Sequence, residues 1–238
     1  MRKKKLYKNN KFLVKFSLLA AMVFLSGCGS GNIVNKAPVT LTGIKKILIL
    51  PFQDMSTVYG ENKDVRCPIC GKVFTTGTVS RGAADALTEQ LFMILNKRKD
   101  IQLIPSGHAQ GVMSDLLAGS QKEINEKELV IETGRILHAD AVLVGYLYRF
   151  QKRIGTEYAV DSPASVAFDL HLIGVKDGRV LWGGHFDETQ RPLSDNLFHL
   201  GAFLKRKAKW VTAKEMAVSG LENMLKTFPV TKKTVPNQ

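Results

Sequence analysis

Cysteine is scarce in this chain, since only three of its 238 residues are cysteines: Cys28, Cys67 and Cys70. So few cysteines exclude a small fold held by a disulfide network, and the domain must be stabilised by burial of apolar side chains. A Walker-type Gly-Lys-Ser/Thr sequence is missing too, which argues against a phosphate-binding loop. We find no nucleophile, base and orienting group in a recognisable pattern, and we therefore expect no enzymatic activity.

The N-terminus has the organisation of a secretory signal. A basic segment precedes the apolar run 16–25, which is about ten residues long, whereas a membrane-spanning helix needs roughly 20. Leu25-Ser26-Gly27-Cys28 then sets small residues before a thiol, which resembles the lipobox of bacterial lipoproteins. We predict a signal peptide at 1–27 and a diacylglycerol thioether on Cys28. The alternatives are an uncleaved anchor or a signal without lipidation.

The compartment follows from the residue after the lipidated cysteine. Position 29 is Gly, whereas in proteobacterial lipoproteins an Asp there favours the inner membrane, so we predict the periplasmic face of the outer membrane. The chain carries a formal charge of +13, of which seven charges lie in 1–27 and six remain for the mature part. Much of the basic excess therefore serves export, and we expect no nucleic-acid partner.

The rest of the sequence predicts one α/β domain. Residues 28–43 lack periodicity and predict a flexible tether, residues 44–229 the domain with a Cys-containing loop at 56–79, and residues 230–238 a disordered tail. Apolar runs predict strands at 44–52, 101–104 and 141–150, and helical spacing predicts helices at 80–99, 106–117, 126–138 and 210–228. Ser80 is the expected N-cap of the first helix.

Residues 165–175 alternate in polarity and predict a half-exposed antiparallel strand, with a turn at 176–179 and a return strand at 180–186. Asp169 and His171 then belong to the polar, solvated face of that strand. The element order predicts a three-layer-like α/β sandwich. Its mixed sheet is parallel in the first part, ends in an antiparallel hairpin and is flanked by helices.

Three blocks of this sequence resemble a family of envelope lipoproteins. Residues 47–52, 139–145 and 166–182 are similar to the curli-assembly type of periplasmic lipoprotein. That type shares an α/β domain with the penicillin-binding-protein activators and with the N-terminal domain of the TolB translocation protein. The resemblance covers most of 44–228 and implies a role in binding and assembly, as a channel subunit, an enzyme activator or an assembly factor.

The loop 56–79 contains the sequence Cys67-Pro68-Ile69-Cys70-Gly71, which has the shape of a zinc knuckle. Two thiolates at this spacing can bind one tetrahedral ion, and Gly71 permits the tight backbone turn at the pair. A second cysteine pair is missing, and the five histidines at 108, 138, 171, 185 and 199 show no ligand spacing. Three readings stay open for Cys67 and Cys70: a local disulfide, a zinc site and a catalytic redox pair.

These patterns favour a lipid-anchored lipoprotein that acts on envelope proteins or cell-wall components. The alternatives are a thiol-redox or zinc-binding envelope protein that uses Cys67 and Cys70, and a subunit of an outer-membrane secretion complex. A homo-oligomer is compatible with each of them. The aromatic and basic segment 198–210 could lie on anionic head groups, but it is more typical of packed rings with solvated lysines.

Overall fold

The apolar runs of the sequence form one mixed sheet. The computed structural model describes residues 40–119, 125–155, 160–190 and 211–232. Five strands of the sheet lie in the order β11-β10-β7-β2-β6, and a short sixth strand, β3, pairs with β7. They are β2 (Lys46–Ile49), β3 (Gln53–Asp54), β6 (Gln102–Ile104), β7 (Ala141–Gln151), β10 (Ser165–Gly174) and β11 (Val180–Thr189).

The direction of the strands changes in the middle of the sheet. β2 runs parallel to β6 and β7, while β10 runs antiparallel to β7 and β11. The mixed sheet predicted from the element order is therefore confirmed. The expected strand 44–52 is interrupted at Pro51, which has no N–H to donate, and pairing with β7 resumes at Gln53.

Two apolar cores lie on opposite faces of the sheet, as a three-layer sandwich requires. Leu143 and Phe168 belong to the first core, whereas Val144 and Ala167 belong to the second, because neighbouring residues of a strand point to opposite faces. The first core is covered by helices α2 (Ala83–Leu95) and α5 (Ala213–Leu225). The second is covered by α1 (Met55–Tyr59), α3 (Gly107–Gly119), α4 (Glu126–Ile136) and part of the loop 56–79.

The first long helix begins later than predicted. Gly82 precedes it with a left-handed φ of 73°, and no side chain caps it. Ser80 is not the N-cap, because its hydroxyl donates to the carbonyl oxygen of Phe150 at 3.1 Å and ties the segment before the helix to β7. The last helix, expected at 210–228, begins after Thr212, which forms a reciprocal capping box with Glu215.

Strand β10 is buried along its whole length, which corrects the prediction of a half-exposed strand. All ten of its residues are buried, because β7 and β11 flank it and both faces of the sheet are covered. Successive residues of β10 therefore face the first and the second core in turn, and neither set faces solvent. Asp169 and His171 therefore lie inside the protein.

The loop 56–79 is ordered and folds onto the second face of the sheet. β4 (Asp64–Arg66) and β5 (Val73–Thr75) pair antiparallel, and the turn between them contains Cys67 and Cys70. We call residues 64–75 the Cys hairpin. Val65, Cys67 and Phe74 bury their side chains in the second core, so the hairpin is packed against the sheet.

Both ends of the described chain form short strands. β1 (Thr40–Thr42) pairs in parallel with β12 (Val230–Lys232), so these residues are structured where the sequence predicts the end of a tether and the start of a tail. Two further short strands, β8 (Ile154–Gly155) and β9 (Val160–Ser162), pair beyond the end of β7. Within the described residues no helix has the length and apolar character to cross a bilayer. The signal peptide 1–27 and Cys28 lie outside these residues.

Candidate metal centre

The turn of the Cys hairpin fixes the first cysteine. The Cys67 amide donates to the carbonyl oxygen of Lys72 at 2.8 Å, and the Gly71 amide donates to the Cys67 carbonyl oxygen at 2.9 Å. Gly71 has a φ of 73°, where a residue with a side chain is strained. The Ile69 and Cys70 amides point at the Cys67 sulfur from 3.4 and 3.5 Å. This backbone arrangement favours a negatively charged sulfur at Cys67.

Two further side chains reach the same point from strand β10. Asp169 and His171 are two residues apart on a strand, so both project from the same face. They lie beneath the Cys hairpin, where Asp169 is 0% and His171 is 3% exposed. Gly183 of the neighbouring strand stands opposite His171, and a Cβ there would come within 3.0 Å of the imidazole Nδ1. Glycine thus leaves room for the ring.

The hairpin and the strand together assemble four donor groups. The sulfur of Cys67 lies 3.3 Å from Nε2 of His171, and that nitrogen lies 3.1 Å from Oδ2 of Asp169. One ligand atom from each of Cys67, Cys70, Asp169 and His171 falls within 4.8 Å of all the others. Bonds of about 2.0–2.3 Å place tetrahedral zinc ligands about 3.3–3.8 Å apart, so the distance from the Cys67 sulfur to the His171 nitrogen fits, and wider pairs would have to close by at most about 1 Å. These residues could hold a metal ion.

Two buried atoms of this cluster have no hydrogen-bond partner among the described residues. They are Oδ1 of Asp169 and Nδ1 of His171. A buried carboxylate oxygen without a partner costs roughly 1–3 kcal/mol or more, so native proteins rarely leave one in that state. A cation beside Asp169 would give Oδ1 a partner, whereas Oδ2 already has the Tyr148 hydroxyl and the His171 Nε2 atom within 3.2 Å. The donor set therefore fits a metal ion better than it fits a purely apolar packing role.

Burial strongly affects the acidity of the groups around this point. Burial, with a further contribution from the negative charge of Asp169, raises the pKa of the Cys67 thiol to about 12. The same two causes raise the pKa of Tyr148, whose hydroxyl donates to Oδ2 of Asp169 at 3.2 Å. Without a cation, Cys67 is thus a protonated thiol, whereas a bound metal ion would deprotonate it.

The predicted site residues have different outcomes. Cys67 and Cys70 are both free thiols in the structure and lie together in one cluster. His171 was expected to be an ordinary surface or satisfied histidine and Asp169 a solvated strand residue, and both predictions are wrong because β10 is covered on both faces. His185 is exposed on β11, and partial desolvation of its ring lowers its pKa. His199 and the segment 198–210 fall outside the described residues.

The sequence contained one signal for the two residues of the cluster that were missed. Asp169 and His171 are polar residues spaced by two within an otherwise apolar run, and such a run predicts burial more strongly than alternation predicts exposure. A buried Asp and His on one face need partners of opposite charge or a cation. About 100 residues separate Cys67 from Asp169 and His171 in the chain, so the sequence did not indicate that these side chains meet.

Comparison with known proteins gives structural likenesses only. No protein-family model and no curated protein matches this chain. The PelC dodecamer from Paraburkholderia phytofirmans is 13% identical with a TM-score of 0.46, covering 83% of this chain and 96% of that one. The LpoB C-terminal domain from Salmonella enterica is 16% identical with a TM-score of 0.37, covering 73% and 94% respectively.

A third similar structure is lipoprotein GNA1162 from Neisseria meningitidis. It is 12% identical with a TM-score of 0.40, covering 69% of this chain and 98% of that one. At these identities and TM-scores none of the three assigns a function or a family to this chain.

Proposed function

We propose that this protein is a lipid-anchored lipoprotein of the bacterial envelope that works by binding envelope proteins or cell-wall components. The observation that carries the proposal is the lipobox Leu25-Ser26-Gly27-Cys28 after a basic segment and a short apolar run. The α/β domain supplies surfaces for partners, and no enzymatic step is part of the proposal. Anchoring is to the outer membrane, because residue 29 is not Asp.

The distance between the lipid and the domain limits where the partner can be. The first strand begins at Thr40, so eleven residues separate it from Cys28. Fully extended, that segment spans at most about 40 Å. The domain thus works within one protein diameter of the membrane surface, and its partner has to be exposed in that layer.

Acylation and partner capture test this proposal in intact cells. Metabolic labelling with a radioactive fatty acid is expected to label the wild type and a Ser30→Ala control, but not a Cys28→Ser variant. Crosslinking followed by mass spectrometry is expected to recover the same envelope partner from wild type and control. A wild type that takes up no fatty acid contradicts the anchoring, and the absence of any reproducible partner contradicts the binding role.

We also propose that Cys67, Cys70, Asp169 and His171 form a structural zinc centre. Zinc is the divalent ion that two thiolates, an imidazole and a carboxylate suit best, because it accepts sulfur, nitrogen and oxygen ligands in tetrahedral geometry. Four protein ligands leave no open position for water or substrate, which separates this site from a catalytic zinc site. The partnerless Oδ1 of Asp169 is the observation that carries the proposal.

The elements that carry the four ligands indicate the role of the proposed metal. Two belong to the Cys hairpin and two to β10, so a single ion joins the loop 56–79 to the centre of the sheet. When bound, zinc supplies a positive charge that keeps both sulfurs deprotonated and compensates Asp169. The hairpin strands have only three residues each, and a pair of that size is marginally stable by itself, so the metal would add to the support that packing in the second core provides.

Metal content tests the zinc centre. Protein extracted in detergent under reducing conditions is expected to contain about one zinc per chain. A His171→Ala variant should lose most of the metal, whereas a His108→Ala variant should keep it, because His108 lies exposed on helix α3. Wild-type protein that stays free of zinc after incubation with zinc under reducing conditions would refute the centre.

A further inference from the structure

We infer that the zinc centre is a redox-controlled lock in which a disulfide between Cys67 and Cys70 replaces the metal and releases the Cys hairpin from strand β10. This inference rests on the proposed zinc centre and adds its regulation. The Cys67-Cys70 pair then has two native states, a zinc dithiolate and a disulfide. The two ligands on β10 take part in only the first of them.

The two sulfurs differ in how easily an oxidant can reach them. Cys70 is exposed at the turn of the hairpin, whereas Cys67 is 2% exposed and lies in the second core. An attacking reagent therefore meets Cys70 first. Zinc binds cysteine as a thiolate, so in the zinc-bound form the exposed Cys70 sulfur would be both nucleophilic and accessible.

The second sulfur is placed to complete a disulfide within the hairpin. The pair has the Cys-x-x-Cys spacing, and both sulfurs belong to a group whose ligand atoms lie within 4.8 Å of one another. A disulfide bond is about 2.0 Å long, so its formation needs the two sulfurs to move together. Rotation of the exposed Cys70 side chain can provide that movement without shifting β10.

The chemical step is an ordinary thiol–disulfide exchange. The Cys70 thiolate attacks one sulfur of an external disulfide, forms a mixed disulfide and expels one thiolate of the oxidant. The Cys67 thiolate then attacks the Cys70 sulfur, forms the Cys67–Cys70 bond and expels the second oxidant thiolate. The protein loses two electrons, the oxidant becomes two thiols after taking two protons from water, and zinc leaves as the unchanged divalent cation.

Loss of two ligands is enough to release the metal. Asp169 and His171 alone provide two of the four donors that a closed tetrahedral site needs. The Oδ1 atom of Asp169 would again lack a partner, which weakens the packing of the hairpin against β10. The hairpin and the residues that follow it would then be held by the apolar contacts of residues such as Phe74 and by hydrogen bonds to β7. These bonds include Arg149 to the Thr75 carbonyl oxygen at 2.8 Å and the Gly77 amide to the Tyr148 carbonyl oxygen at 3.0 Å.

The proposed location of the protein provides the oxidant that this switch needs. A disulfide requires an oxidising compartment, which the proposed export to the periplasm supplies. The oxidant is therefore a disulfide of low molecular mass or the active-site disulfide of an oxidoreductase. The sequence left both a zinc site and a local disulfide open for Cys67 and Cys70. In this proposal they are the reduced and the oxidised form of the same cysteine pair.

The test follows zinc and the disulfide in the same sample. Zinc-loaded protein is mixed with oxidised glutathione, zinc release is read with a chromogenic chelator, and the disulfide is identified as the loss of two hydrogens in the mass of the Cys67-Cys70 peptide. We expect one zinc released for each disulfide formed, and uptake of zinc again after reduction.

A Cys70→His variant is the matched control. An exposed imidazole can replace the thiolate as a zinc ligand but cannot form a disulfide. We expect this variant to hold zinc and to release it at least tenfold more slowly than wild type under the same oxidant. Equal release rates, zinc release without a disulfide, or a disulfide that forms while zinc stays bound would each overturn the lock.

The zinc centre and its regulation can fail separately in this experiment. Zinc-bound wild type that resists oxidation removes the redox lock and leaves the centre in place. Wild type that binds no zinc under reducing conditions removes both.

Discussion

At the scale of single residues, Tyr148 is the nearest support of the proposed metal ligands. It is fully buried, its hydroxyl donates to Asp169, and its ring stacks on Phe74 of the Cys hairpin with centroids 4.2 Å apart and planes 11° apart. A Tyr148→Phe variant keeps the stacking and removes the hydrogen bond. Since partners of metal ligands typically contribute 10–100-fold in affinity, we expect zinc affinity to fall by about that factor.

Competition with a chelator of known affinity measures this change. A Tyr59→Phe variant is the control, because the Tyr59 side chain is half exposed on helix α1. If Tyr148→Phe binds zinc as tightly as wild type, Asp169 does not depend on the hydroxyl for its orientation.

Gly145 in β7 shows how tightly the first core is packed. A Cβ at this position would lie 2.5 Å from Cε1 of Phe52, which belongs to that core. We expect Gly145→Ala to lower the free energy of unfolding by roughly 1–3 kcal/mol, the usual cost of overpacking. Gly107→Ala is the matched control, as nothing lies within 4 Å of the added atom there.

Urea unfolding measures both glycine variants. Zinc affinity is expected to stay unchanged in Gly145→Ala, because Phe52 lies on the opposite face of the sheet from the candidate metal centre. A Gly145→Ala variant as stable as wild type would show that Phe52 moves away at no cost.

At the scale of secondary-structure elements, Asp100 ties strand β12 to the start of β6. Arg98 donates to its carboxylate and also to the carbonyl oxygen of Pro229 at 2.7 Å, and the Thr231 amide donates to the carboxylate at 3.0 Å. The hydrogen bond from Arg98 is the main cause that holds the pKa of Asp100 well below its ordinary value of 3.8. This ionised group therefore stabilises the fold above pH of about 4, and the stabilisation is lost as the pH falls further.

Replacing Asp100 tests this link between β12 and the start of β6. Asp100→Asn is expected to lower the free energy of unfolding by about 1 kcal/mol at pH 7, because a partly exposed pair contributes little more than that. The difference from wild type should shrink as the pH is lowered below about 4. An exposed Asp115→Asn variant is the control, and a difference that grows in acid would contradict the assignment.

The helices and strands could be predicted from the sequence far better than which of their faces are buried. Apolar runs and helical spacing located β7, α2 and α5 because those patterns depend on local residues. The burial of β10 could not be obtained in this way, since it depends on what covers each face of the sheet. Half of the candidate metal centre was missed for the same reason, because Asp169 meets Cys67 only after the loop folds back.

At the scale of the whole molecule, the described residues belong to one unit that spans 37–238. The two ends of its described part, Thr40–Thr42 and Val230–Lys232, are paired through β1 and β12. The proposed zinc ion would join the Cys hairpin of the loop 56–79 to strand β10 of the sheet. It would thereby fix the position of the hairpin on the second face.

X-ray absorption at the zinc edge, recorded on the reduced protein, determines which atoms surround the proposed zinc ion. We expect one zinc with two sulfur ligands at about 2.3 Å and two nitrogen or oxygen ligands at about 2.0–2.2 Å. An Asp169→Ala variant should keep both sulfurs and change only the lighter shell. A zinc surrounded by lighter atoms alone, or by four sulfurs shared between two chains, would contradict the centre formed by Cys67, Cys70, Asp169 and His171.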